Sequence, residues 1–306
     1  MNKDKLTLIV SLFALIFISF YLINNPNSYE DLLRINIFTV LIVVTLKTLT
    51  LLLNSIFNHQ LLKVYNVNLN FFEALYISSV TFLGNFYLPA RSGANFRLLY
   101  LNKVHALKSP SITSLFFYFV FVTTLLSSFF GIVSLIMINQ TNSFLFLASL
   151  IFLSLILFCS IYVLQKKYKV QTVSKNAFYI WVNKTKKEWN IISSNPKMQF
   201  LLIFITMLNY FLFAGELAII FKFLFERTPF FEIFYFNSLS IFSSLVSITP
   251  ASIGIKEAMV LISTDILGLN LNSLISILVI ERAVSVVFSM IPLTVLISNS
   301  LKNKFN

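Results

Sequence analysis

The sequence predicts an all-α polytopic membrane protein with about six full transmembrane helices and two re-entrant hairpins in an inverted-topology repeat. Three observations lead there. Of the 306 residues, 58% are hydrophobic and only 11% are charged, which is more apolar surface than a soluble domain of that length can hide. Six stretches approach the roughly 20 apolar residues that a spanning helix needs. The pattern Pro-Ala-x-x-Gly occurs twice, at Pro89–Gly93 and Pro250–Gly254, in a chain with seven Pro and six Gly.

The first apolar stretch is Leu6–Ile23, preceded by Met-Asn-Lys-Asp-Lys and followed by Asn24-Asn25-Pro26. With no small-residue cleavage site behind it, it is expected to stay as a first helix. Ile35–Ile56 is the second span. Phe71–Leu88 is semi-polar, with Ser78, Ser79, Thr81, Gly84 and Asn85, and ends at the first motif. A short apolar piece, Phe96–Leu101, follows. Ile112–Ile138 and Phe144–Leu164 are clear spans, as is Phe200–Phe225. Phe230–Thr249 repeats the semi-polar character through Asn237 and five serines and ends at the second motif; Ala258–Leu267 follows. Leu274–Ser298 is the last span.

Sidedness comes from Lys and Arg, which concentrate in cytoplasmic loops. Residues 165–198 hold eight Lys against one Glu, and residues 89–111 hold Arg91, Arg97, Lys103 and Lys108 with no acid. Both stretches are expected inside, together with the two termini. Glu30 and Asp31 make residues 24–34 net acidic and place them outside. Residues 71–101 and 230–267 then each begin and end on one face, on opposite sides of the membrane. They read as re-entrant hairpins whose tips are the Pro-Ala-x-x-Gly turns; counting each as two short spans gives the same sidedness. Irregular backbone at membrane depth needs protein or a wet cavity around it. The integral-membrane domain, 1–306, divides into a first repeat, 1–140, and a second, 141–306, related by inverted topology. The basic loop 165–198 carries Tyr168, Tyr179, Trp181 and Trp189 among its lysines. That mixture suits an interfacial segment on anionic lipid, and equally a solvated loop that only sets topology.

A lone cysteine, Cys159, excludes an intrachain disulfide. His59 and His105 are the only histidines, both in polar connecting stretches, which speaks against a metal or triad site. No cofactor is expected, and without a phosphate-binding Gly-rich loop no direct use of ATP. Nor is the basic loop a nucleic-acid domain, being short and close to the membrane.

The charges inside apolar stretches are Lys47, Glu216, Lys222, Lys256, Glu257, Glu281 and Arg282. Such residues face a cavity or a partner. Lys222 lies near a span end and can reach the interface. Lys47 is central in its span. Glu216 suits a structural ion pair, a protonated acid or a proton-carrying role. Glu281 and Arg282 are adjacent, so on a helix they point about 100° apart and cannot simply neutralise each other. At the motif turns Pro89 and Pro250 stop one helix and start the next, and Gly93 and Gly254 permit a tight turn. The helix beginning after each turn offers free amides to an anion. With Arg91, Arg97, Lys256 and Arg282 nearby, the set reads as a phosphate receptor, while Glu216, Glu257 and Glu281 are candidate proton carriers or counter-ions. For Arg91 and Arg97 the alternative is that they only obey the positive-inside rule.

Leu88-Pro89-Ala90-Arg91-Ser92-Gly93 through Arg97, and Thr249-Pro250-Ala251-Ser252-Ile253-Gly254-Ile255-Lys256-Glu257-Ala258, resemble the two motifs of the lysylphosphatidylglycerol synthase transmembrane-region family, also called flippase-like domain proteins. Arg282 falls where that family usually carries an Arg, and the resemblance covers nearly the whole chain. Two positions depart from it. Ala94 stands where the family often has Glu, so no role of that carboxylate carries over. Lys256 replaces the usual Arg, which keeps the charge and loses the bidentate geometry. The resemblance implies lipid translocation, or a partner role in envelope lipid or glycan assembly. The soluble aminoacyl-transfer domain of some members is expected to be missing, since the sequence stops just past its last span.

The expected function is a non-ATP-driven flippase or transporter of an anionic phosphate-bearing envelope lipid in the plasma membrane, working by translocation and not covalent chemistry. Envelope-assembly proteins are possible partners. The alternatives are an integral-membrane transferase, against which the very short outer loops speak, and a non-transporting scaffold.

Overall fold

The structure is a computed structural model and describes residues 34–88, 91–138, 144–168, 177–226, 228–246, 249–269 and 271–300. Their regular structure is helical, with no strand among the described residues. The helices are α1 (Ile37–Lys63), α2 (Phe71–Tyr87), α3 (Ser92–His105), α4 (Ser109–Ile138), α5 (Phe144–Gln165), α6 (Ala177–Ser193), α7 (Pro196–Phe225), α8 (Phe230–Leu245), α9 (Ile255–Leu267) and α10 (Leu271–Ser300). A short 3₁₀ turn, Pro250–Ser252, precedes α9. The protein is an all-α polytopic membrane protein: α1, α4, α5, α7 and α10 are long and apolar enough to cross a bilayer, as the sequence leads one to expect of five of its six spans. The first expected span, Leu6–Ile23, lies outside the described residues.

The outer surface fits a lipid solvent. Along α5, Phe144, Ile151, Leu155 and Phe158 are all more than half exposed, so this apolar helix has no aqueous face to protect. Between helices, small residues let backbones approach, as is usual in membranes. On α4, Ser127, Ser128, Gly131 and Ser134 are buried; a side-chain carbon added at Gly131 would lie 3.2 Å from Ser238 of α8. The Tyr210 hydroxyl of α7 donates to the Phe234 carbonyl at 2.9 Å and lies 2.8 Å from the Ser238 hydroxyl.

The two shorter pairs, α2–α3 and α8–α9, differ from the spans. At about 1.5 Å per residue, α3 and α9 are each about 20 Å long, short of the ~30 Å hydrocarbon core. They are longer than the apolar pieces Phe96–Leu101 and Ala258–Leu267 suggest, because their first turns are built from polar residues at the motifs. The α2–α3 pair is an antiparallel hairpin. Glu73 meets Tyr100 and His105 near its open end, Tyr76 meets Phe96, and Gly84 packs on Gly93 at the turn. His59, expected in a connection, lies inside α1, and His105 closes α3 with its Nε2 2.9 Å from Glu73.

The packing pattern is reciprocal. α2 packs on α10, the last helix of the second half, and α8 packs on α4, the last of the first half, while α1 and α7 pack on each other. The helices α2 and α8 also open alike. Phe71-Phe72-Glu73 matches Phe230-Phe231-Glu232, and Tyr76 and Ser79 match Tyr235 and Ser238 at the same spacing. Glu73 and Glu232 each sit in a first helical turn, where a negative charge complements the helix dipole.

The basic stretch 165–198 contains α6. Trp189 and Ile192 are buried, with Trp189 against Tyr118 and Phe121 of α4 and Tyr168. The stretch is therefore a docked helix over half its length. Phe178 and Tyr179 at its start are exposed.

Candidate functional site

The hairpin α2–α3, the 3₁₀ turn and helices α1, α4, α7, α8, α9 and α10 surround a cavity of about 420 Å³, within the range usual for small-ligand sites. Its wall is largely aromatic, including Phe57, Phe82, Phe116 and Phe213. Its polar part is cationic: among the described residues, Lys47, Arg91, Arg97, Lys256 and Arg282 face two carboxylates, Glu216 and Glu281. All four residues expected to bind a phosphate therefore line one cavity, together with two of the three candidate acids.

The four do not stand in equal surroundings. Lys256, on the first turn of α9, is buried and gives both 2.8 Å contacts to the carboxylate oxygens of Glu281 on α10. Lys47 on α1 donates to Glu216 on α7 at 2.7 Å, with both side chains buried. The adjacency of Glu281 and Arg282 is resolved by a matching adjacency opposite. Lys256 and Glu257 are neighbours on α9, so Glu281 meets Lys256 and Arg282 meets Glu257. Removing one member of such a buried pair leaves a charge with no compensation and costs about 3–5 kcal/mol.

Glu257 stands apart from the other two candidate acids. It is not among the residues lining the cavity. Its carboxylate accepts the Gly254 N–H at 2.7 Å and pairs with Arg282, so it caps α9 and ties the second turn to α10. The first turn of α3 is treated similarly: the Ala94 N–H donates to the Asn85 side-chain oxygen at 3.3 Å. The amides expected to be open to an anion after each turn are in part taken by the chain's own side chains.

The two motifs also use their residues differently. Pro89 lies outside the described residues. Arg91 caps α3 in the left-handed conformation, φ 52°. In the second motif Pro250 opens the 3₁₀ turn, Ala251 and Ser252 are left-handed at φ 47° and 58°, and Gly254 caps α9 at φ 80°. Gly254 is thus needed for its conformation. Gly93 is needed for its size. It sits inside α3, and a side-chain carbon there would lie 2.1 Å from the Thr81 carbonyl oxygen of α2.

Arg91 and Arg97 are set apart. The Arg91 Nη1 donates to the Leu245 carbonyl at 3.2 Å, and its guanidinium lies 5.3 Å from the Phe116 ring centre. The Arg97 Nη1 donates to the Asn58 side-chain oxygen at 2.9 Å, while Asn58 donates to Ser78 at 2.9 Å. Among the described residues neither guanidinium has an acidic partner, and the two lie close enough to repel each other.

Sequence reasoning weighed the charges and passed over the neutral polar groups. Lys47, Leu51, Asn54 and Asn58 recur at i, i+4, i+7 and i+11 along α1, and all four line the cavity. That stripe in an apolar helix was the available signal. Lys222, on α7, is exposed, as its position near a span end suggests.

A search of curated proteins gives no match. Residues 5–292 match the family described as the lysylphosphatidylglycerol synthase TM region. The match takes in both Pro-Ala-x-x-Gly turns that border the cavity, and Arg282 with them: the chain belongs to the lysylphosphatidylglycerol synthase transmembrane-region family.

Proposed function

We propose that this multi-pass membrane protein, tied by its family to lipid metabolism or translocation, is a flippase or transporter of an anionic phosphate-bearing lipid, working without ATP and without covalent chemistry. The observation that carries this is the pair Arg91 and Arg97: two guanidiniums with no carboxylate partner among the described residues, in an aromatic-walled cavity. Guanidinium is the side chain suited to bidentate phosphate contact, and an aromatic wall suits the apolar part of a lipid. Lys256 and Arg282 are counted as supporting the receptor, with Glu281 and Glu257 as their counter-ions.

Alternating access between two inverted repeats, with α2–α3 and α8–α9 as re-entrant hairpins, would expose the cavity to each leaflet in turn. The reciprocal packing of α2 on α10 and α8 on α4 supports a two-unit design, as do the matching openings of α2 and α8. The setting we propose is the plasma membrane with both termini cytoplasmic.

The test is movement of fluorescent phosphatidylglycerol in vesicles holding only this protein, followed by chemical quenching of the outer leaflet. The wild-type protein is expected to equilibrate the label between leaflets, and Arg97→Gln to slow this at least ~10-fold, the effect of about 1.4 kcal/mol. No movement by the wild-type protein with or without an ion gradient would remove the transport reading and leave the scaffold.

A further inference from the structure

The charges on the cavity wall bear on the charge of the ligand as well as its class. Every other cation of the site is matched: Lys47 by Glu216, Lys256 by Glu281 and Arg282 by Glu257. What is left, among the described residues, is the two positive charges of Arg91 and Arg97. Ions taken out of water need compensation from a partner, and their present contacts are neutral: a backbone carbonyl, an aromatic ring and a carboxamide. Each guanidinium has five N–H donors, of which one on each is used. The cavity therefore offers two positive charges and an excess of fork-shaped donors.

It offers nothing comparable to a cation. Glu216 and Glu281, the two carboxylates on its wall, are already held by lysines at 2.7 and 2.8 Å. An amine on a headgroup would meet the unmatched arginines and no open acid.

We infer that the cavity is built for a lipid headgroup carrying two negative charges, a phosphate monoester or a pyrophosphate esterified at both ends, in preference to a singly charged phosphodiester or an amine-bearing headgroup. This rests on the anionic-lipid reading above. A dianion cancels Arg91 and Arg97 together, while a diester cancels one of them and leaves the other half-buried without a counter-charge. Asn58 is a positioning residue here: its side-chain oxygen fixes Arg97 while Ser78 fixes Asn58.

The experiment measures binding to the purified full chain in nanodiscs of phosphatidylcholine at pH 8, where a phosphate monoester, with a second pKa of about 6, is doubly charged. The added probes are phosphatidic acid, phosphatidylglycerol, phosphatidylethanolamine and inorganic phosphate. Phosphatidic acid is expected to bind about 10-fold or more tighter than phosphatidylglycerol, and phosphatidylethanolamine weakest. That ratio should fall toward one in Arg91→Gln and in Arg97→Gln, with Lys222→Gln as an unaffected control. Equal, arginine-dependent binding of phosphatidic acid and phosphatidylglycerol would overturn the dianion inference and leave the anionic-lipid reading standing. Binding of neither lipid would overturn both. Inorganic phosphate binding as tightly as phosphatidic acid would assign the site to a soluble anion and overturn the lipid assignment.

Discussion

Lys47 and Lys256 come from different halves of the chain and share one aromatic ring: their ammonium groups lie 5.9 and 5.7 Å from the centre of Phe213. The pairs also act across on each other: Lys47 feels the carboxylate of Glu281, and Glu216 feels the ammonium of Lys256. The two ion pairs are thus one electrostatic unit joining α1, α7, α9 and α10, held around a ring whose face attracts cations.

Breaking that unit from one side should be costly. Glu281→Gln leaves Lys256 buried without its acid and is expected to destabilise the protein by about 3–5 kcal/mol, read as a lowered thermal midpoint in detergent. Adding Lys256→Met should recover most of the loss, because no buried charge is then left over. A double variant no more stable than Glu281→Gln would mean that the pair is not what holds α9 to α10.

The motif glycines should respond differently to the same change. Gly93→Ala puts a carbon 2.1 Å from the backbone oxygen of Thr81, which only a separation of α2 from α3 can relieve, so the variant should fail to accumulate as a monodisperse protein. At Gly254 nothing lies within 4 Å, and only the φ of 80° is unfavourable. Gly254→Ala should therefore fold with a loss of about 1–3 kcal/mol. Size-exclusion profiles and thermal midpoints of the two variants check this; matching behaviour would contradict it.

Sidedness is open to direct labelling. Cys159, the lone cysteine, is exposed and must first be replaced. Single cysteines at Lys184, on α6, and at Lys304 should then react with a membrane-impermeant reagent only after the cytoplasmic side is opened, as the Lys-rich stretches require. Reaction of either from outside in intact cells would defeat the inverted arrangement.

Arg282→Ala should impair lipid movement far more than Lys222→Ala at matched abundance. Arg282 is buried and holds Glu257, which in turn holds the Gly254 amide; Lys222 is exposed near a helix end and can stay in the interface. Equal activities would make Arg282 dispensable to the site.

Most of the helical framework could be read from apolar run length alone, since a bilayer fixes that length physically. The predicted spans Phe144–Leu164 and Phe200–Phe225 agree with α5 and α7 to within a few residues. The short helices were harder. α3 and α9 begin with Ser92-Gly93-Ala94-Asn95 and Ile255-Lys256-Glu257, whose polarity hides their helical start. The repeated motif borders the cavity, and Arg91, Arg97 and Lys256 from its two copies line it. Which charges were paired could not be read, because partners such as Lys47 and Glu216 are separated by most of the chain and meet only through the packing of α1 on α7. The identity of the first three residues of α2 and α8 was available in the sequence as well.

The contact of Gly84 with Gly93 has a mechanical meaning. Backbone lies against backbone there, and a carbon added at Gly84 would be 2.5 Å from the Gly93 Cα. Interlocked chains of this kind cannot slide past each other in small steps, so α2 and α3 can travel only as a single stiff lever. Any motion that turns the cavity from one leaflet to the other must then pivot at the ends of that lever, in the segment between Lys63 and Phe71 and the one between His105 and Ser109. Arg91 and Arg97, both carried on its far end, would swing together and keep their spacing throughout the stroke.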